Sequence, residues 1–139
     1  MHRSADHIQL VWDRGGVGTA QAESGGSISI GPADEWTPER LLTAAVESSV
    51  MTNFLRLADE AGLEVLGYVS AGEASLDAGG TGRIKVVVRP CVSVRDEHAV
   101  EAVHRFLAAA RAASPIVRIL GDAMTLEAVV VAFGARDGG

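Results

Sequence analysis

The sequence predicts an α+β domain in which a long central helix and a second helix pack against antiparallel sheets. Three observations carry that prediction. A helix start at Thr37-Pro38-Glu39 opens an apolar run that meets no glycine or proline until Gly62. Segments in which apolar and polar residues alternate lie on both sides of that run. A later stretch places Val100, Val103, Leu107 and Ala110 at the 3-4-3 spacing of one helix face. The 139 residues are expected to form one domain over 1–139, long enough to bury roughly two thirds of the unfolded surface without disulfide or metal staples.

Taken in order, Ile8-Gln9-Leu10-Val11-Trp12 alternates as a strand, and Asp13-Arg14-Gly15-Gly16 supplies a turn. Gly18 to Glu23 and Ser27 to Ile30 make a hairpin around Ser24-Gly25-Gly26. The cluster Gly15-Gly16-Val17-Gly18 leads into strand-like sequence. It therefore lacks the helix N-terminus that would hold a phosphate, and no nucleotide site is expected there.

Thr37 as N-cap, Pro38 at the first helical position and Glu39 in the first turn predict a helix over Pro38–Ala61, stopped by Gly62. At 1.5 Å per residue it is ~36 Å long. Leu41, Leu42, Val46, Val50, Phe54 and Leu57 reach around most of its circumference, so its middle is expected to be buried nearly all round. One small domain has little material for that, and a partner subunit would supply it.

A strand from Glu64 to Leu76, a Gly-rich hairpin at Ala78-Gly79-Gly80-Thr81-Gly82 and a strand from Arg83 to Arg95 follow. In the last of these Ile84, Val86, Val88, Val92 and Val94 share one face, and Lys85, Arg89, Cys91 and Ser93 share the other. Pro90 cannot donate to a ladder, which predicts an edge strand or a bulge, with a slip in the alternation near Cys91. The second helix starts near Asp96, and its seam continues to Ser114. Pro115 ends it, a short helical turn runs to Leu120, Gly121 closes that turn, and a final strand covers Thr125 to Phe133 before a loose tail.

Composition removes several functional classes. The net charge is −6 and the pI about 5.1. The 12 Lys and Arg residues are scattered, which argues against a nucleic-acid surface. No run reaches the ~20 apolar residues of a membrane span, no signal sequence opens the chain, and the cytoplasm is the expected location. The single cysteine excludes an intrachain disulfide. No His/Cys/Asp/Glu group has metal-ligand spacing, and no cofactor is expected.

Four segments carry a family resemblance. Trp36-Thr37-Pro38-Glu39-Arg40-Leu41-Leu42-Thr43-Ala44-Ala45 resembles the Pro-Glu-x-Leu-Leu-x-Ala-Ala start of the central helix of the OsmC/Ohr proteins, the osmotically inducible and organic-hydroperoxide-resistance family. Ala113-Ser114-Pro115-Ile116-Val117 resembles that family's Cys-Pro-Ile-Ser. Ala61 to Val65 and Arg89 to Val94 match its Ala-Gly-Leu-Glu-Val and Arg-Pro-x-Val-x-Val, so the likeness runs from about Trp12 to Phe133. The resemblance implies an intertwined homodimer and a thiol peroxidase in which the reactive cysteine stands eleven residues after the proline and the resolving cysteine ends the second helix. Here those positions are Ser49 and Ser114. It also implies that Glu39 pairs with an arginine at the site, for which Arg14 is the best candidate.

Peroxide reduction needs a thiolate that passes through a sulfenic acid and a second thiol that captures it. Neither serine can do this. For Ser49 to be a hydrolytic nucleophile instead it needs a histidine base, and His2, His7, His98 and His104 lie in no such motif; His104, beside the second-helix seam, is the nearest to one, and a half-exposed helical histidine is the plainer reading. Cys91, flanked on its strand face by Arg89 and Ser93, is a possible redox thiol or a strand cysteine with no special role. The leading expectation is an OsmC/Ohr-fold homodimer without peroxidase activity, with a relic role or an interface pocket that binds a small apolar ligand or hydroperoxide. The alternative is a hydroperoxide-reducing antioxidant protein that uses Cys91.

Overall fold

The computed structural model describes residues 7–32, 36–76 and 82–134. Residues 78–81 of the expected glycine-rich hairpin, His2 and the tail after Gly134 lie outside the described residues. Contacts divide the chain into two compact units, residues 1–41 and 42–139.

In the first unit β1 (Ile8–Arg14), β2 (Val17–Ala22) and β3 (Ser27–Ile30) form an antiparallel sheet in the order β1-β2-β3. β1 runs two residues beyond the expected strand end, so Arg14 pairs with Val17 as the last strand residue instead of standing in the turn. A register shift between Trp12 and Arg14 accommodates the extension, and the Trp12 indole Nε1–H donates to the Gly15 carbonyl at 2.7 Å to close the corner.

Helix α1 (Pro38–Glu60) begins as expected: the Arg40 amide donates to Thr37 Oγ1 at 3.1 Å, Pro38 occupies the first helical position, and Glu39 stands in the first turn. It ends at Gly62, whose φ of +71° is the left-handed conformation that closes helices. The Leu63 amide then reaches back to the Ala58 carbonyl at 2.8 Å. Within the chain α1 buries a single stripe, Thr43, Val46, Val50, Phe54 and Ala58, while Ala45, Ser48 and Leu55 are exposed. Burial nearly all round is thus not reached by this chain alone.

The second unit is built on β4 (Gly67–Leu76), β5 (Ile84–Val94), β6 (Met124–Leu126) and β7 (Val129–Ala132), with α2 (Val100–Ala113) and α3 (Pro115–Leu120) between β5 and β6. Its core joins Val46, Val50 and Phe54 of α1 to Val86, Val88, Val92 and Val94 of β5 and to Val103 and Leu107 of α2, all essentially inaccessible. Each such side chain stabilises the fold by about 1.5–3 kcal/mol. α2 is preceded by a 3-10 turn, Glu97–Ala99, which the Asp96 carboxylate caps by accepting from the His98 amide at 2.9 Å. That amide, followed by the His98 ring, holds the Asp96 pKa below its ordinary value.

Three expectations about the sheet are corrected. β4 begins at Gly67 instead of Glu64. The final strand is two pieces, β6 and β7, and both run parallel to β5, so the sheet is mixed: only β4–β5 is antiparallel. α2 and α3 carry the chain back across the sheet, and a crossover of that length is what a parallel neighbour requires. Finally, β5 is an interior strand, and its burial alternates without a slip through Val86, Val88, Pro90, Val92 and Val94. Pro90 is tolerated because the Val88 carbonyl accepts from the Glu127 amide at 2.9 Å. Alternate residues of a strand face the same side, so the proline nitrogen looks toward the break between β6 and β7, where no ladder donor is needed.

Candidate functional site

Ser114 stands where α2 stops and α3 starts. Its backbone is extended (φ −79°, ψ 117°), because Pro115 excludes the helical conformation from the residue before it. The Ser114 amide donates to the Arg111 carbonyl at 3.2 Å, and its Oγ accepts from the Val117 amide at 3.1 Å. The side chain is fully buried. Ser49, half-buried on α1, places its Oγ 2.5 Å from Ser114 Oγ. Either hydroxyl can donate in that contact, and Asn53 Nδ2 donates to the Ser49 carbonyl at 2.8 Å one turn further along α1. The fold therefore brings two residues 65 positions apart into direct side-chain contact.

Among the described residues the pair has no activating base. Among the described residues no histidine is hydrogen-bonded to either hydroxyl: His98 is exposed and turned to Asp96 at 3.0 Å, and His7 and His104 are exposed. The arrangement thus lacks the base and orienting group of a serine nucleophile. No group of three or more His, Cys, Asp or Glu side chains among the described residues is placed to hold a metal ion.

The other expected site residues stand at exposed positions. Arg14, at the end of β1, and Glu39, in the first turn of α1, are both exposed. Cys91 is exposed on the face of β5 that points away from the core, beside Val69 of β4 and Val129 of β7. Arg89, on that same face, is engaged by Glu127 at 3.0 Å and Glu73 at 3.8 Å. Its charge is therefore already countered.

One polar arrangement was not expected from the sequence. Glu47 of α1 accepts a hydrogen bond from Ser70 Oγ of β4 at 2.7 Å. Gly72, two residues along the same strand face, makes the approach possible: a Cβ there would lie 2.8 Å from Thr43 Cγ2 and 3.1 Å from the Glu47 carboxylate. Tyr68, on that face too, packs its ring 5.7 Å from that of Phe54, and its hydroxyl is buried with no partner among the described residues. Desolvation first, and then the negative charge of Glu47, push the phenol pKa up to about 12. The available signal was Glu47 itself, a carboxylate among small and apolar neighbours on α1.

The fold has known counterparts. An OsmC-like protein of unknown function from Vibrio cholerae superimposes with a TM-score of 0.75 at 18% identity, over 93% of this chain and 100% of that one. The organic hydroperoxide resistance protein OsmC from Legionella pneumophila gives 0.70 at 15% identity, over 94% and 99% of the two chains. OhrB of Bacillus subtilis, also an organic hydroperoxide resistance protein, gives 0.65 at 17% identity, over 91% and 98%. These likenesses establish the α+β fold, with its long helix and second helix packed on sheet. No curated protein matches the sequence. No helix among the described residues is long and apolar enough to cross a membrane. The family model for OsmC-like proteins matches residues 31–129, most of the length, and the chain belongs to that family.

Proposed function

We propose that this chain acts as a homodimer whose Ser49 and Ser114 occupy the places of the family's two thiols, and that it binds a small apolar molecule or hydroperoxide without reducing it. The supporting observation is the 2.5 Å contact between the two hydroxyls, one from the central helix and one from the end of the second. A resolving and a reactive cysteine must be able to meet, and two side chains at these positions do. A hydroxyl has no sulfenate or disulfide state, so the pair keeps the geometry without the redox cycle. Glu39 and Arg14 are assigned to each other as the counterpart of the family's glutamate–arginine pair.

Restoration tests this reading. In the double variant Ser49→Cys with Ser114→Cys, the two thiols give up two electrons and two protons to form a disulfide. The hydroperoxide takes them up to yield an alcohol and water, and an added dithiol reduces the disulfide for the next turnover. The double variant is expected to consume organic hydroperoxide, and the unmodified chain to do so no faster than Cys91→Ser. A folded double variant that forms neither a disulfide nor an alcohol would refute the assignment of these positions. Turnover by the unmodified chain that vanishes in Cys91→Ser would favour chemistry at Cys91, which the engagement of Arg89 by Glu73 and Glu127 argues against.

A further inference from the structure

Two clefts of the second unit meet at Asp122. One, of about 290 Å³, lies beside α2 and α3 and is lined by Arg111, Val117, Arg118 and Asp122. The other, of about 520 Å³, lies at the start of β5 and is lined by Arg83, Lys85, Leu120 and Asp122. In a chain of net charge −6, four of the 12 Lys and Arg residues are gathered here around one carboxylate. Of the arginines elsewhere, Arg56 pairs with Glu60, Arg89 with Glu73 and Glu127, and Arg95 with Glu64, whereas Arg14 and Arg105 make no ion pair among the described residues. Lys85, Arg111 and Arg118 make no ion pair among the described residues.

Arg111 is held in place as well as unpaired. Its Nη2 donates to the Met124 carbonyl at 2.7 Å, which fixes the guanidinium, and its Nε is buried with no acceptor. A guanidinium already held at the wall of the cleft is pre-organised, so it loses little further freedom when a ligand docks on it. We propose that this convergence binds a multiply charged oxyanion of the phosphate class, with the Arg111 and Arg118 guanidinium groups as its main contacts and Lys85 as a further one. Guanidinium groups present paired N–H donors in a plane that suits phosphate oxygens. A singly charged carboxylate fits less well. Asp122 opposes any anion at the junction, and only a ligand that carries several charges can recruit the cations of both clefts against it.

The proposal does not depend on the serine pair, and its test is separate. Inorganic pyrophosphate is titrated calorimetrically into the full chain at low ionic strength, where surface charges are least screened. Saturable binding is expected. Arg118→Gln, at an exposed position, should weaken it about tenfold, the loss of one charge-assisted contact. Lys85→Gln should weaken it in the same direction, and Asp122→Asn should tighten it. Arg105→Gln should leave it unchanged, because Arg105 lies over the Phe106 ring and lines neither cleft. Absence of saturable binding at millimolar pyrophosphate, or an equal loss in Arg105→Gln and Arg118→Gln, would overturn the site. Citrate binding as tightly as pyrophosphate would overturn the phosphate assignment.

Discussion

Ser114 Oγ accepts from the Val117 amide at 3.1 Å while it meets Ser49 Oγ at 2.5 Å, so one buried hydroxyl both caps α3 and ties α1 to the α2–α3 junction. A hydroxyl has one proton to give and two lone pairs to offer. Val117 takes one lone pair, and Ser49 meets what remains.

The two serines are therefore unequal in stability. Ser114→Ala removes the cap and leaves Ser49 without its partner, an expected loss of about 1–2 kcal/mol. Ser49→Ala keeps the cap and is expected to lose about 0.5–1 kcal/mol. Urea unfolding of the two variants under identical conditions measures the order, and an equal or reversed order would mean that the Val117 contact contributes nothing.

At Gly72 the argument is steric. The site has no positive φ, but a methyl group there meets Thr43 Cγ2 at 2.8 Å and the Glu47 carboxylate at 3.1 Å. Thr43 is buried and β-branched, so it has little room to turn. Gly72→Ala is expected to destabilise by about 1–3 kcal/mol, the usual cost of overpacking. Thr43→Ser in the same chain removes the obstructing methyl and should recover part of the loss, read from the denaturant midpoint.

How much of this was legible in the sequence follows the range of the interactions. The bounds of α1 are local, set by the Thr37 cap, Pro38 and Gly62, and they were readable within a residue. The inner face of β5 was readable because alternation is local too. Pro90 was misread because its tolerance depends on a break between β6 and β7 on a neighbouring strand. The parallel pairing was available from the two helices between β5 and β6, but the final apolar run reads as one strand until Glu127 and Ala128 interrupt it. Ser49 and Ser114 were picked out by family likeness, and nothing in either local sequence shows that their hydroxyls touch. The contact of Glu47 with Ser70 spans 23 residues and needs Gly72 beneath it, so no helical periodicity could reveal it.

The proposed homodimer makes its own prediction. α1 buries one stripe within the chain, and β1 leaves Leu10 at 66% and Trp12 at 74% exposure. Apolar surface of that extent on a small domain favours a partner, and a symmetric pair is the commonest closed assembly. Light scattering at micromolar concentration is expected to give twice the chain mass of 14.4 kDa. Trp12→Glu should shift that mass toward the monomer, and a monomeric unmodified chain would refute the dimer.

Tyr68 is the only tyrosine in the sequence, so its ionisation can be followed directly by ultraviolet absorbance. Burial and the Glu47 charge raise its pKa from the ordinary phenol value of about 10 to about 12. The unfolded chain therefore releases the phenolic proton at lower pH than the folded one. Below pH ~10 both states hold the proton and stability does not depend on this group. Between about 10 and 12 the unfolded state binds fewer protons, and stability falls as pH rises. Tyr68→Phe is expected to flatten that fall. At neutral pH it should cost little or even stabilise, because it removes a buried hydroxyl that has no partner. Glu47→Gln should bring the phenol titration of the folded protein to lower pH by removing the repelling charge, with the desolvation contribution left in place. A titration midpoint near 10 in the folded protein, or one that Glu47→Gln leaves unmoved, would show that the carboxylate does not act on the ring.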